Sequence, residues 1–472
     1  MKSGNQPVGP GRAEAAPEHG TVQGKDEGTL SPLNVSTKLG RIAELAKQAP
    51  DMKLSTLAHH IDDEWLTEAY RRTRKDGAVG VDGQTAEQYA VDLEKNLESL
   101  LNRAKSGTYK APPVRRVYIP KANGETRALG IPTFEDKVLQ RAVAMVLEAV
   151  YEQDFLDCSY GYRPGRSAHD ALDDLQHQLV KMAGGWLLEV DFRKYFDTLE
   201  HGKLKEILSQ RVTDGVLLRL ISKWLHAGVM ERGEMHYPEA GTPQGGVISP
   251  MLANVFLHEV LDLWFERDVK PRLHGQARLF RFADDAVMVF AHEKDARRCF
   301  EALVKRCEKY GLTLHPEKTR LFNFRRPDRR SSKDDDDAGP RTFDLLGFTH
   351  FWQQSLKEKK WVVMRKTARD RFRRSVKAVT TWCNKHRHVP VPAQRLTLSR
   401  KIRGHYAYYG IAFNARALAR FLYCVSMAWW AALRRRSQRG MPWARMDALL
   451  RKLPLPKPRI VRPLKWLRSA NP

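Results

Sequence analysis

Cysteine is scarce in this chain of 472 residues; there are five, Cys158, Cys299, Cys307, Cys383 and Cys424. They are scattered, odd in number and form no CxxC pair, which argues against a disulfide framework and a zinc ribbon and fits a reducing cytoplasm. Each reads as a small buried hydrophobe. Long apolar runs are missing too. None reaches the roughly 18–20 residues of a spanning helix, so no membrane is expected as a partner. The N-terminus is polar and rich in Gly and Pro, and no signal peptide is expected there. There is no internal repeat. Acidic residues are outnumbered, with 55 Asp and Glu against 81 Lys and Arg and a net charge of +26. So large a charge repels itself unless the partner is a polyanion, and nucleic acid is the obvious one.

Against that background one short stretch stands out. Arg281-Phe282-Ala283-Asp284-Asp285 lies between Leu279-Phe280 and Ala286-Val287-Met288-Val289-Phe290. Two adjacent carboxylates on a turn between apolar, strand-like runs read as a β-hairpin holding acids at the rim of a sheet. A third, Asp191, closes the run Trp186-Leu187-Leu188-Glu189-Val190. Three hard oxygen donors on neighbouring strands suit two Mg²⁺ ions, with Mn²⁺ as a substitute, in phosphoryl transfer. Taken alone, an Asp-Asp turn is more often a solvated hairpin tip.

Two further loops belong with it. Gly241-Thr242-Pro243-Gln244-Gly245-Gly246-Val247-Ile248-Ser249-Pro250 runs into a helix. Its glycines allow close backbone approach to a base pair, and Gln244 can donate and accept at an incoming nucleotide. Lys121 and Arg127 flank the Asn123-Gly124 tip of a hairpin signature. One is a point charge and the other a fork, and both can reach a triphosphate. The bland readings are an ordinary Gly/Pro loop and a solvated tip.

Strand and helix signals alternate irregularly, which favours an α+β fold over a doubly wound one. Residues 1–50 read as a disordered tail and 51–110 as a helical extension. A mixed unit follows over 111–360. Within it, residues 325–341 carry Asp334–Asp337 among Ser, Lys, Gly and Pro and read as a polar loop rather than a metal site. Helices are expected at 134–152, at 167–182 behind a Ser167 cap, across 201–227, from a Ser249 cap over 250–267, and at 293–310. The chain reads as helical and rich in Arg, Lys, Trp and Tyr from about 361 onward, with a thumb-like unit over 361–440 and a basic, Pro-rich tail over 441–472 in which Leu453–Pro458 are extended. The Trp and Tyr residues there suit core packing, and the arginine clusters suit RNA.

The ordered set resembles a bacterial group II intron-encoded reverse transcriptase/maturase. It comprises Ile119-Pro120-Lys121…Leu129-Gly130-Ile131-Pro132, Tyr160-Gly161-Tyr162-Arg163-Pro164-Gly165-Arg166-Ser167, Asp191–Asp197, the Thr-Pro-Gln-Gly-Gly loop, Phe282-Ala283-Asp284-Asp285 and Leu345-Leu346-Gly347-Phe348. The resemblance covers residues 60 to 460. It implies a right-hand polymerase with fingers and palm, then an α-helical thumb or maturase domain. Asp191 and Asp284 are then the essential metal ligands, Asp285 supports them, and the Phe192 carbonyl helps. Phe196 falls at the sugar gate, where a ring excludes a ribose 2′-hydroxyl. Lys318 sits near the pyrophosphate, and Gly347 belongs to the motif that grips the primer. Arg371, Arg374, Arg403, Arg434 and Arg435 become RNA contacts, and His405 a packed or RNA-contacting residue. Implied partners are template and intron RNA, primer DNA and dNTPs, with no obligate protein.

Two departures are visible. Phe282 replaces the usual Tyr, keeping the ring and losing the hydroxyl. No C-terminal Cys/His module is evident, so no endonuclease is expected, and mobility would use existing primers such as replication forks. Other readings keep the polymerase in phage defence or CRISPR-type immunity, reduce it to a polymerase-dead splicing factor, or make it copy RNA into RNA. The three aspartates argue against a dead enzyme, and Phe196 against ribonucleotides.

Overall fold

The computed structural model describes residues 32–120, 126–231, 234–236, 241, 245–327, 342–355, 359–436 and 440–462. Among these residues the chain is α+β, with three sheets and a helical C-terminal part. The first sheet has the order β2-β1-β4-β5, from β1 (Val114–Pro120), β2 (Thr126–Ile131), β4 (Val229–Glu231) and β5 (Glu234–His236). The central sheet is antiparallel, ordered β6-β7-β3-β8, from β3 (Trp186–Val190), β6 (Ala277–Phe282), β7 (Asp285–Phe290) and β8 (Arg320–Asn323). A third sheet joins β9 (Thr342–Leu345), β10 (Phe348–Gln354) and β11 (Trp361–Thr367).

The central strands read as continuous apolar runs because both faces of their sheet are covered. Side chains alternate across a strand. Leu188, Met288 and Phe290 enter the large core with the helices Phe134–Tyr151, Ser249–Leu257 and Glu293–Lys309. Leu187, Val287 and Val289 face the other way, onto the helix Ala168–Lys181 and onto Phe343 and Val363 of the third sheet. Ser167 caps that helix, its hydroxyl accepting from the Asp170 N–H while Asp170 accepts from the Ser167 N–H. Ser249 does not act as a cap. The helix opens at Ser249 itself, with Ile248 before it and Pro250 in the first turn.

Three expected boundaries move. A helix runs from Pro32 to Gln48 within the supposed tail of residues 1–50. Val35, Ile42 and Ala46 are buried in the large core, and Arg211 donates to the carbonyls of Ala46, Ala49 and Met52. Apolar residues at this spacing order the segment by docking, even though its composition is that of a tail. Residues 361–367 are strand, because β11 pairs with β10 along its length, so the helices begin at Arg369. The tail of 441–472 contains a helix, Trp443–Lys452, pinned by buried Met446. The extended stretch after it returns along the helix Val391–Tyr409, where the Tyr406 hydroxyl donates to the Pro456 carbonyl at 3.3 Å. The acidic run 334–337 and most of the expected polar loop lie outside the described residues. No helix among the described residues is long and apolar enough to cross a membrane.

The C-terminal helices Arg369–Lys385, Val391–Tyr409 and Ala415–Leu433 close on Leu398, Ile402, Leu418, Phe421 and Trp429. Trp429 is fully buried and donates its indole N–H to Gln394 at 2.8 Å, as core packing requires, whereas Tyr423 and Trp443 are exposed. His405 is packed as well, its ring 3.7 Å from that of Phe421. Burial pulls the His405 pKa down to about 4. A lowered histidine pKa favours the neutral folded form, so stability is lost as the pH falls below the unfolded value near 6.5 toward 4. We expect His405→Phe to flatten the pH dependence of the unfolding midpoint between pH 4.5 and 7. Parallel curves for the two proteins would contradict that.

Candidate active site

Phe282 pairs with Asp285, so β6 and β7 are joined by only Ala283 and Asp284. Ala283 takes a φ of +58°, a conformation that costs energy for a residue with a side chain. Arg281 holds it there. Its Nη1 donates to the Ala283 carbonyl at 3.1 Å and to Asn254 Oδ1 at 2.9 Å. Nε and Nη2 fork onto the Asp262 carboxylate at 2.7 and 2.6 Å, and Nη2 also reaches Ser159 Oγ at 2.7 Å. Arg281 and Asp262 are both fully buried. Burial works to raise the Asp262 carboxyl, but the Arg281 charge and hydrogen bonds outweigh it and hold it below its ordinary value. From behind, Gly161 presses on the turn. A Cβ at that position would lie 2.3 Å from the Ala283 nitrogen.

The turn carries Asp284 and Asp285 at the end of the central sheet. Val190 pairs with Ala286, so Asp191 emerges from β3 beside them. Burial raises the Asp284 carboxyl. Its own backbone N–H and the Arg127 charge pull it back, and Asp191 adds repulsion. Asp285 reaches solvent, yet partial dehydration and then the charges of Asp284 and Asp191 push it up to about 6. Lys318 Nζ stands 3.4 Å from Asp191 Oδ2. Thr319 Oγ1 accepts from the Asp191 N–H at 3.3 Å and lies 3.2 Å from its carbonyl oxygen. Among the described residues no three side chains form a ready-made metal-binding group. The donor set still fits hard divalent cations, being all oxygen, and its mutual repulsion is what a cation relieves.

The structure brings most of the other expected residues to this spot. Arg127, on β2, is close enough to influence Asp284. Gly245 lies against the same strand, and a Cβ on it would come 2.7 Å from the Gly130 carbonyl. Gly241 lies over Phe196, where a Cβ would come 2.9 Å from the Phe196 carbonyl. Phe196 is buried edge-on to Tyr195, with centroids 5.2 Å apart, and Phe192 is buried beside Leu314. Gly347, between β9 and β10, meets the Tyr409 hydroxyl and the Arg371 stem. Arg371 in turn lowers the carboxyl of Asp285. Arg374 and Arg403 are exposed on their helices, and just past the helix Ala415–Leu433 Arg434, which stacks on Trp430 at 4.7 Å, and Arg435 are exposed too. Lys121 and Gln244 lie outside the described residues.

Residues 119–350 match the family model described as reverse transcriptase (RNA-dependent DNA polymerase). The chain carries a reverse transcriptase domain. That domain spans the first sheet, the central sheet and the start of the third. The chain is similar to Protein YkfC of Escherichia coli (strain K12), 37% identical over 255 residues, 52% of this chain and 66% of that protein. It is 38% identical over 208 residues to the group II intron-encoded protein LtrA of Lactococcus lactis subsp. cremoris, covering 42% of this chain and 34% of that one. Nuclear intron maturase 4, mitochondrial, of Arabidopsis thaliana is 25% identical over 195 residues, 41% of this chain and 23% of its own. The chain thus spans less than two thirds of the length of these relatives. The resemblance to group II intron reverse transcriptases and maturases stands on these matches.

Several residues around this site were given no role by the residue pattern. Tyr162 is exposed with φ +58°, close enough to Asp284 and Arg127 to feel both charges. Asp262 and Asn254 lie on an apolar helical stretch, where a fully buried polar residue is itself a signal. Arg281→Met should strand a buried carboxylate and destabilise the protein by about 3–5 kcal/mol. Adding Asp262→Leu should recover part of that loss. Urea unfolding of the two variants decides, and a single variant as stable as the parent would refute the role given to Arg281.

Proposed function

We propose that the chain is an RNA-directed DNA polymerase that copies RNA into cDNA by two-metal nucleotidyl transfer. We further propose that it binds intron RNA and assists group II intron splicing and mobility. The observation that carries the first reading is the meeting of Asp191, Asp284 and Asp285 under Arg127. A carboxylate cluster faces a cation supplied by a different sheet.

In this reading the first sheet is the fingers, the central sheet the palm, and the C-terminal helices the thumb. Asp191, Asp284 and Asp285, with the Phe192 carbonyl, would hold two Mg²⁺ ions, for which Mn²⁺ can substitute. When bound, such ions make a primer 3′-hydroxyl nucleophilic and neutralise the departing pyrophosphate. The protein's own part is placement. Arg127 and Lys121 neutralise the triphosphate, and Lys318 is released from Asp191 toward the pyrophosphate. Gly245 brings backbone close to the new base pair, with Gln244 beside it. The Phe196 ring fills the space a ribose 2′-hydroxyl needs. Gly347 and Arg371 hold the primer end, and the exposed arginines track template and intron RNA. The likeness to the LtrA protein of Lactococcus lactis and to the Arabidopsis maturase supports the intron role.

Primer extension on an RNA template with Mg²⁺ tests the polymerase. We expect dNTPs but not rNTPs to be used, and Asp284→Asn to reduce the rate at least 10³-fold, an order set by loss of metal-based charge stabilisation. Tight RNA binding without any extension would instead mark a splicing factor. A separate test concerns the gate. Phe196→Val should admit ribonucleotides, and unchanged dNTP preference in that variant would remove Phe196 from the role.

A further inference from the structure

Behind the Gly245–Ile248 segment, four buried polar side chains form a chain of hydrogen bonds that no step above uses. Asp136 and Gln140 lie one turn apart on the helix Phe134–Tyr151, on its otherwise apolar face. They are 2% and 3% exposed. The Asp136 carboxylate accepts at Oδ1 from the Tyr109 hydroxyl and, at 2.7 Å, from the Trp224 indole N–H. At Oδ2 it accepts from Gln140 Nε2 at 3.1 Å. Gln140 Oε1 then accepts the backbone N–H groups of Val247 at 2.8 Å and Ile248 at 3.3 Å.

The direction of this chain is forced. Burial raises the Asp136 carboxyl, but the donors around it leave its oxygens to accept: the Trp224 indole N–H at Oδ1 can only donate, and Oδ2 faces Gln140 Nε2. Backbone N–H groups can only donate. An amide between an obligate acceptor and two obligate donors has one permitted orientation, NH₂ toward Asp136 and oxygen toward the segment. Oδ1, shared by Tyr109 and Trp224, fixes which carboxylate oxygen is left for Gln140. The segment so held contains Gly245, seated on the Gly130 carbonyl of the strand that bears Arg127.

We propose that Asp136 and Gln140 are positioning residues. Together they set the backbone of residues 245–248 and thereby the affinity of the site for the incoming nucleotide. The nucleotide consequence rests on the polymerase reading; the relay itself does not.

The chemistry offers a swap test. In Asp136→Asn the carbonyl oxygen stays with Tyr109 and Trp224, which only donate there, and an NH₂ faces Gln140. Gln140 must turn its oxygen toward Asn, presenting NH₂ to two N–H groups. In the double variant Asp136→Asn with Gln140→Glu, the new NH₂ donates to one glutamate oxygen, and the carboxylate still accepts both N–H groups. Acceptance of both N–H groups is restored, with the bond between 136 and 140 reversed in direction.

Two readouts on the full-length protein decide. The first is hydrogen exchange of the peptide spanning residues 245–249, which needs no activity. The second is KM and kcat for dTTP on poly(rA) primed with oligo(dT). We expect Asp136→Asn to speed exchange and raise KM about tenfold with little change in kcat, and the double variant to return both to within about threefold of the parent. Gln140→Met, similar in shape but without an acceptor, should behave as Asp136→Asn, and replaces it if that variant does not fold. Parent-like exchange in Asp136→Asn, or a double variant no better than the single at equal melting temperature, overturns the relay. Restored exchange without restored KM removes the link to nucleotide. A parent protein that extends no primer sinks the polymerase reading, and the exchange data still judge the relay.

Discussion

Arg281 places a full positive charge where water does not reach, and the fork onto Asp262 is what makes that tolerable. A buried pair of this kind repays its dehydration only when geometry is good and the remaining donors are satisfied. Here they are, by Asn254, Ser159 and the Ala283 carbonyl. The consequence reaches beyond the pair. Ser159 belongs to the segment leading into Gly161, Asn254 and Asp262 to the long helical stretch after Ser249, and Ala283 to the carboxylate turn. One guanidinium therefore ties three stretches of chain to a single point beneath the acids. The left-handed backbone at Ala283 persists because these contacts over-determine it.

The carboxylates above that point are held in opposition. Burial and neighbouring carboxylates raise Asp284 and Asp285, and Arg127, Arg371 and Lys318 approach from three different parts of the chain to offset it. Arg371 comes from the first C-terminal helix. The helical part is thus tied electrostatically to the site as well as mechanically. The mechanical tie runs through Tyr408, whose hydroxyl donates to the Leu346 carbonyl at 2.7 Å, and through Asn414, bonded to Thr367.

Much of this was legible in the residue pattern, for a physical reason. A turn carrying two acids between strands covered on both faces leaves a local mark in the sequence, and so do the Ser167 cap and the paired strands of the first hairpin. What local pattern could not give was docking. The helix Pro32–Gln48 has the composition of a tail, and only its fit against the helix Phe134–Tyr151 and Arg211 orders it. Met446 likewise anchors the helix Trp443–Lys452 by its burial. β11 was read as helix because Trp361–Thr367 mixes charged and apolar residues without a clean period of two; its pairing with β10 decides the matter. Gln140 and Asp136 did leave a trace, as polar residues on an apolar helical face. Their meaning depends on Val247 and Ile248, more than a hundred residues away.

Gly161 has one more consequence. With the Ala283 nitrogen 2.3 Å from where a Cβ would stand, the turn bears directly on the backbone behind it. The ring at position 282 is only partly buried, against the cluster that holds Tyr160 and Phe280, and leaves room for change. The contact at 161 has no such latitude, since it is made by main chain against main chain. The acids are therefore registered against the molecule like a part seated on a hard stop. Change at this site is confined to what surrounds the turn, and the height of the turn itself is fixed.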